Sequence, residues 1–166
     1  VRRGVVKESD IETAIQYQKE HPDKKLGDIL NILNLCPQKE LIFAMGKILD
    51  ENVIILTADD IKVQVEKYIP LQMCKQCKAI IFEVIGKKAK VCFADTANSK
   101  AVEEIRLLLL KNGLVMEKYL TFETNIENVI QLLANKEQAT IVNSVDITKL
   151  VDTIIRSGME KRASDI

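Results

Sequence analysis

The sequence predicts an α+β fold. A small N-terminal helical bundle leads into an α/β subdomain, whose small, mostly antiparallel sheet follows the order β-β-α-β-α, and a C-terminal linker helix closes the chain. Three observations predict this. Up to residue 50, apolar residues recur at helical spacing. Beyond residue 50, β-branched residues gather in short runs bounded by turn residues. Hydrophobic residues make up 47% and charged residues 29% of the 166 positions, enough apolar content to bury a core.

The first helix is read at 9–20, where Ser9 and Glu12 have capping-box spacing and Ile11, Ala14 and Ile15 form a stripe. His21-Pro22-Asp23 breaks it, and His21 reads as a solvated turn residue. A second helix is expected from Leu26 to Leu33, with Ile29 and Leu30 on its apolar side. A third runs from Pro37 to Leu49, with Leu41, Ala44, Met45 and Ile48 inward. Val53–Leu56 is a β-type run, and Asp59–Ile69 reads as a helix that Pro70 ends. Ala79–Ile85 and Ala89–Phe93 flank Gly86-Lys87-Lys88 as a hairpin whose tip, with Lys90, is a solvated turn. A strong helix follows over Ser99–Lys111, stopped by Asn112-Gly113, with Asp95 as its expected cap. Leu114–Phe122 is a strand, and Thr124 with Glu127 caps a helix to Ala134. Asn135–Asn143 is a polar linker, and Asp146–Met159 is a last helix. The domain reading is therefore 1–50 helical, 51–134 α+β, and 135–166 linker and entry to a further domain.

Composition excludes several function classes. Lys and Arg (24) cancel Asp and Glu (24), so there is no diffuse basic field to hold nucleic acid. With no Trp and 4% aromatics, a stacking platform for single strands is absent too. No fully apolar run, Leu107 to Leu110 included, approaches the ~20 residues of a bilayer span. Neither a secretory signal nor the cysteine density of a disulfide scaffold is visible, which predicts a reducing cytoplasm. Cys74-x-x-Cys77 lacks the second pair that tetrahedral zinc requires, so its thiols read as buried or incidental and no metal is expected.

An internal echo points further. At an offset of 30, Gly4 meets Asn34, Val5 meets Leu35, Val6 meets Cys36, Ile11 meets Leu41, Ala14 meets Ala44 and Ile15 meets Met45. The second unit, Lys25-Leu26-Gly27-Asp28-Ile29-Leu30 with Asn34-Leu35 and Leu41, resembles the "RLG … G … L…L…Q" pattern in the N-terminal domain of type II secretion and type IV pilus assembly ATPases. The first unit carries the second half of that pattern in Gly4, Val5, Ile11, Ile15 and Gln18. The final Ala163-Ser164-Asp165-Ile166 is similar to the entry of that family's ATPase core, "ASDIHIEP". Because the chain starts at Val1 and stops within that motif, it is expected to be the front piece of a longer protein.

The resemblance implies a non-catalytic regulatory and docking domain. Its partners would be the inner-membrane platform or a cytoplasmic adaptor and its own C-terminal ATPase core, and it would be cytoplasmic, held at the inner membrane through those partners without inserting. No GxxxxGK[ST] loop occurs, and Gly46-Lys47 lacks its surroundings; ATP and Mg²⁺ are thus expected only downstream of Ile166, and no catalytic residue is assigned here. The alternative implied by one branch of the family is a cyclic di-GMP sensor. Its ligand residues would be Lys25, Leu26, Gly27, Ile29 and Leu30 from one unit and Gly4, Val5, Ile11, Ile15 and Gln18 from the other. Three positions depart from the pattern: Lys25 replaces its Arg, Asn34 its turn Gly, and Ile48 its terminal Gln.

Overall fold

The computed structural model describes residues 6–136. The chain divides into two compact units, Val1–Ile130 and Gln131–Ile166. Most of the expected linker, the expected helix Asp146–Met159, the terminal Ala163–Ile166 motif, Gly4 and Val5 lie outside the described residues.

Three helices open the described chain: α1 (Glu8–Glu20), α2 (Leu26–Ile32) and α3 (Gln38–Leu49). α1 starts one residue earlier than the Ser9–Glu12 box implied, because the Asp10 carboxylate accepts the backbone N–H of Lys7 at 3.2 Å. α2 ends where Asn34 takes φ +50° and Leu35 N–H reaches back to Leu30 C=O at 3.0 Å. Asn tolerates that left-handed position, so the turn glycine is replaceable here. α3 closes in the same way, with Asp50 at φ +53° and Glu51 N–H on Gly46 C=O at 3.0 Å. α1 and α3 begin at Glu8 and Gln38, 30 residues apart, so the repeat holds in the backbone. It fails in burial: Ala14 is buried where Ala44 is half-buried, and Ile15 is exposed where Met45 is half-buried.

The segment after α3 departs from expectation twice. Val53–Leu56 makes a single parallel bridge, Val53 to Leu120, framed by Leu120 N–H to Asn52 C=O (2.7 Å) and Ile54 N–H to Leu120 C=O (3.1 Å). The expected helix over Asp59–Ile69 is instead two 3₁₀ turns, Ala58–Asp60 and Val65–Lys67. Asp60 does cap a first turn, accepting Thr57 N–H at 2.8 Å. Helix growth then stops because Lys62 N–H bonds Phe82 C=O at 2.7 Å, drawing the β-branched stretch 61–65 toward the sheet edge. Pro70 opens the helix α4 (Leu71–Cys77), which carries the C-x-x-C.

The sheet has three strands, β1 (Ala79–Ile85), β2 (Lys88–Phe93) and β3 (Val115–Leu120), in the order β1-β2-β3. β1 and β2 pair antiparallel through the two-residue loop Gly86-Lys87, with Gly86 at φ +59°. A bulge between Ile81 and Glu83 turns Phe82 C=O toward Lys62. β3 lies parallel to β2, so the sheet is mixed rather than mostly antiparallel. The cause is α5 (Ser99–Lys111), which carries the chain back so that Val115 starts beside Lys88. Asn98, not Asp95, caps α5: its Oδ1 accepts Ala101 N–H at 3.2 Å. Gly113 at φ +70° ends it. A sixth helix, α6, opens at residue 123 and is described to 136. One apolar cluster joins Ala14, Ile29, Leu30, Leu41 and Ile42 to Leu120 and Phe122, so the bundle packs against the end of β3. Ile105 and Leu109 of α5 and Ile80, Ile81, Val91 and Phe93 of the sheet are fully buried.

Candidate functional site

Four of the residues singled out in the sequence, Gln18, Lys25, Leu26 and Gly27, lie at the corner between α1 and α2. Gln18 donates through Nε2 to Lys24 C=O at 2.9 Å, and Lys24 N–H bonds His21 C=O at 3.1 Å, which tightens the turn. The His21 ring lies 4.4 Å from that of Tyr17. Lys25 is the residue before α2, and its backbone carbonyl accepts Ile29 N–H. Its exposed ammonium sits 2.6 Å from Asp95 Oδ2, in the turn before α5. Burial works to raise the Asp95 carboxyl, but the Lys25 ammonium and the N–H groups of Ala97 and Asn98 outweigh it and hold the group below its ordinary range. Both partners remain substantially solvated, so the pair contributes at most ~1 kcal/mol and can be exchanged for another anion.

Around that corner the predicted positions have different environments. Leu26 and Gly27 are half-buried. A Cβ on Gly27 would come within 2.9 Å of Met45 Sδ and Cε, so the glycine lets α2 and α3 approach closely. Ile29 and Leu30 are core residues at 0% and 6% exposure, with no surface for a ligand. On α1, Ile11, Ile15 and Gln18 share a stripe; Ile11 and Gln18 are half-buried and Ile15 is 44% exposed. Ile48, at the pattern's terminal Gln position, is 79% exposed. The structure thus gathers Gln18, Lys25, Leu26 and Gly27 at one corner and leaves Ile29 and Leu30 inside.

Sequence reasoning missed the polar junction immediately behind this corner. Asp28, at 5% exposure, accepts Glu123 N–H on Oδ1 at 3.1 Å and so caps α6 from α2. Thr124, the expected cap, instead receives Asn31 Nδ2 at 3.2 Å. Gln38 Nε2 donates to Asn125 Oδ1 at 3.2 Å, and Asn125 Nδ2 donates to Leu56 C=O at 3.1 Å. Lys78 pairs with Glu123 beside them. Burial pushes the Asp28 carboxyl above its usual range, against the opposing hydrogen bond from Glu123 N–H. A signal was present: Asp28 interrupts the apolar run Leu26, Ile29, Leu30, where only a partnered carboxylate is tolerable.

Open clefts lie elsewhere among the described residues. One, of about 520 Å³, is lined by Phe43, Lys47, Asp50, Glu51, Val53 and Tyr119 among others. Another, of about 270 Å³, is lined by Ile54, Asp60, Lys62, Phe82, Glu83 and Lys90 together with Val53 and Tyr119. Their polar groups are largely engaged: Lys90 with Glu83 at 2.7 Å, Tyr119 OH donating to Glu117 at 2.7 Å, and Asp60 with Thr57. None of the sequence-predicted site residues among the described residues lines either cleft. Cys74, Cys77 and Cys92 are buried, and burial raises the Cys74 thiol to about 12, so these are packing groups rather than nucleophiles. Among the described residues no group of three or more His, Cys, Asp or Glu could hold a metal ion.

No family model matches the chain, and no curated protein matches it. Among solved structures it is similar to MshE with cdg, at 20% identity and TM-score 0.51, over 79% of this chain and 92% of that one. It is also similar to the N-terminal domain of XpsE, at 18% identity and TM-score 0.51, over 78% of this chain and 87% of that one. At such identities the likeness is one of fold. The chain has the fold of these two domains, which belong to ATPases of type II secretion and type IV pilus assembly, the group its N-terminal sequence resembles.

Proposed function

We propose that this chain is the non-catalytic N-terminal domain of a type II secretion or type IV pilus assembly ATPase, docking and regulating the motor at the inner-membrane platform. The observation that supports it is an agreement of two independent readings. The residues Lys25-Leu26-Gly27, and the separate echo that pairs Gly4 to Ile15 with Asn34 to Met45, suggest the same proteins as the fold likeness to the XpsE and MshE domains. The sequence has no phosphate-cradling GxxxxGK[ST] loop, so ATP turnover would belong to a following core. Deleting residues 1–130 from the full-length motor is the test. ATP hydrolysis by the remaining core should persist while its stimulation by the platform's cytoplasmic part is lost; stimulation that survives the deletion contradicts the proposal.

A second reading, a cyclic di-GMP sensor, is favoured by one observation: the similar MshE structure is described with cdg. In this chain the exposed Lys25 ammonium is the phosphate-binding group, helped by the N-terminal turn of α2 and by the half-buried faces of Leu26 and Gly27. The ligand must displace Asp95 from Lys25. Calorimetry with cyclic di-GMP should then show binding that Lys25→Glu removes and Asp95→Asn strengthens. Absence of heat at high protein concentration would leave docking alone.

A further inference from the structure

One end of the molecule combines exposed aliphatic side chains with unpaired lysines. Ile85, Lys88 and Val115 are directly aligned across β1, β2 and β3, so their side chains share one sheet face. Ile85 is 56% and Val115 57% exposed. Lys87 occupies the hairpin loop, and its carbonyl accepts Val115 N–H at 2.7 Å, which places the α5–β3 turn beside the loop. That turn brings Leu110, 45% exposed, and the exposed Lys111 to the same end.

The charge here is one-sided in a chain of zero net charge. Segments 84–89 and 107–116 hold three lysines and no carboxylate. The neighbouring Lys90 differs, being neutralised by Glu83 at 2.7 Å. None of Lys87, Lys88 or Lys111 has an ion-pair partner among the described residues.

We propose that this end docks on a bilayer surface rich in anionic phospholipid. The three ammonium groups would meet lipid phosphates while Ile85, Val115 and Leu110 reach the boundary between headgroups and acyl chains. The composition favours lipid over a protein partner: interface cores are enriched in aromatic residues and Arg and depleted in Lys, and this patch has Lys, aliphatic residues and Asn112 but no aromatic residue or Arg. The contact lies on the membrane, since no helix among the described residues is long and apolar enough to cross one.

Vesicle co-sedimentation of the whole chain tests this. The vesicles are phosphatidylcholine with one-third phosphatidylglycerol, against phosphatidylcholine alone. Binding is expected only to the anionic vesicles and is expected to fall with added salt. Lys88→Ala should weaken it about fivefold, and K87E/K88E together about a hundredfold or more. Both sites are exposed loop or strand-end positions, and circular dichroism should show that the fold is kept. Ile85→Ser with Val115→Ser should weaken binding at unchanged charge. No binding to anionic vesicles, as a purely protein-directed patch would give, overturns the proposal. So does equal binding to neutral vesicles, or anionic binding indifferent to K87E/K88E.

Discussion

Replacing Asp28 separates the two opposing contributions of a buried cap. Its carboxylate satisfies the N–H of Glu123 at the start of α6, at 3.1 Å, yet it does so at 5% exposure. Asp28→Ala removes the acceptor, which costs about 0.5–2 kcal/mol as a lost cap and roughly 1–3 kcal/mol if the N–H is left without water. Removing a buried negative charge offsets part of this, so a net loss of about 1–2 kcal/mol is expected. Asp28→Asn keeps an oxygen for Glu123 and discards the charge. The charge is worth about 0.3–1 kcal/mol at a helix N-terminus, but the raised carboxyl shows that burial outweighs the local hydrogen bonds and the nearby Lys24 and Lys25. Asp28→Asn should therefore stay within about 0.5 kcal/mol of the parent near neutral pH, or exceed it. A group whose folded pKa is raised stabilises most below its unfolded pKa and loses that contribution as pH rises through the folded one. The parent should thus gain on Asp28→Asn when urea midpoints are compared at about pH 5 and then lower, and fall behind it toward about pH 8. If Asp28→Asn is as damaging as Asp28→Ala, or the parent instead gains on Asp28→Asn as pH rises, the carboxylate is held by its charge partners and the capping argument fails.

The remaining predictions concern packing and the thiols. Leu109→Ala, at a fully buried position on α5, should cost ~2–5 kcal/mol in chemical denaturation, whereas Leu108→Ala at a half-buried one should cost less; equal losses would show that α5 does not pack as described. Native protein titrated with a thiol reagent should react first at the half-buried Cys36, with Cys74, Cys77 and Cys92 reacting only on unfolding. Rapid modification of Cys74, whose thiol lies at about 12, would contradict its burial.

How legible the chain was depended on whether the relevant physics is local. Helical periodicity and turn chemistry located α1, α2, α3 and α5 and the hairpin, because stripes such as Leu26, Ile29, Leu30 and stop residues such as Asn34 and Gly113 act within a few positions. Asp59–Ile69 misled for the opposite reason: a local helix signal at Thr57 and Asp60 is overridden by a backbone bond from Lys62 to Phe82, in a distant strand. The parallel pairing of β3 was hidden likewise, since no local pattern says which edge a strand joins after a crossover. At the candidate site, Lys25 and Gln18 could be named from a motif, but their engagement with Asp95 and Lys24 C=O required coordinates. Ile29 and Leu30 fit both a ligand pattern and a core stripe, and burial assigns them to the core. The Asp28 junction links residues such as Asp28 and Glu123 that are 95 positions apart, beyond the reach of periodicity.

The most direct test of the account is an interferometry titration of this chain against the cytoplasmic part of the inner-membrane platform proposed as its partner. Saturable, reversible binding in the micromolar range, retained when nucleotide is omitted, is the predicted result. Failure to bind any cytoplasmic platform or adaptor component, from a chain shown by circular dichroism to be folded, would contradict it.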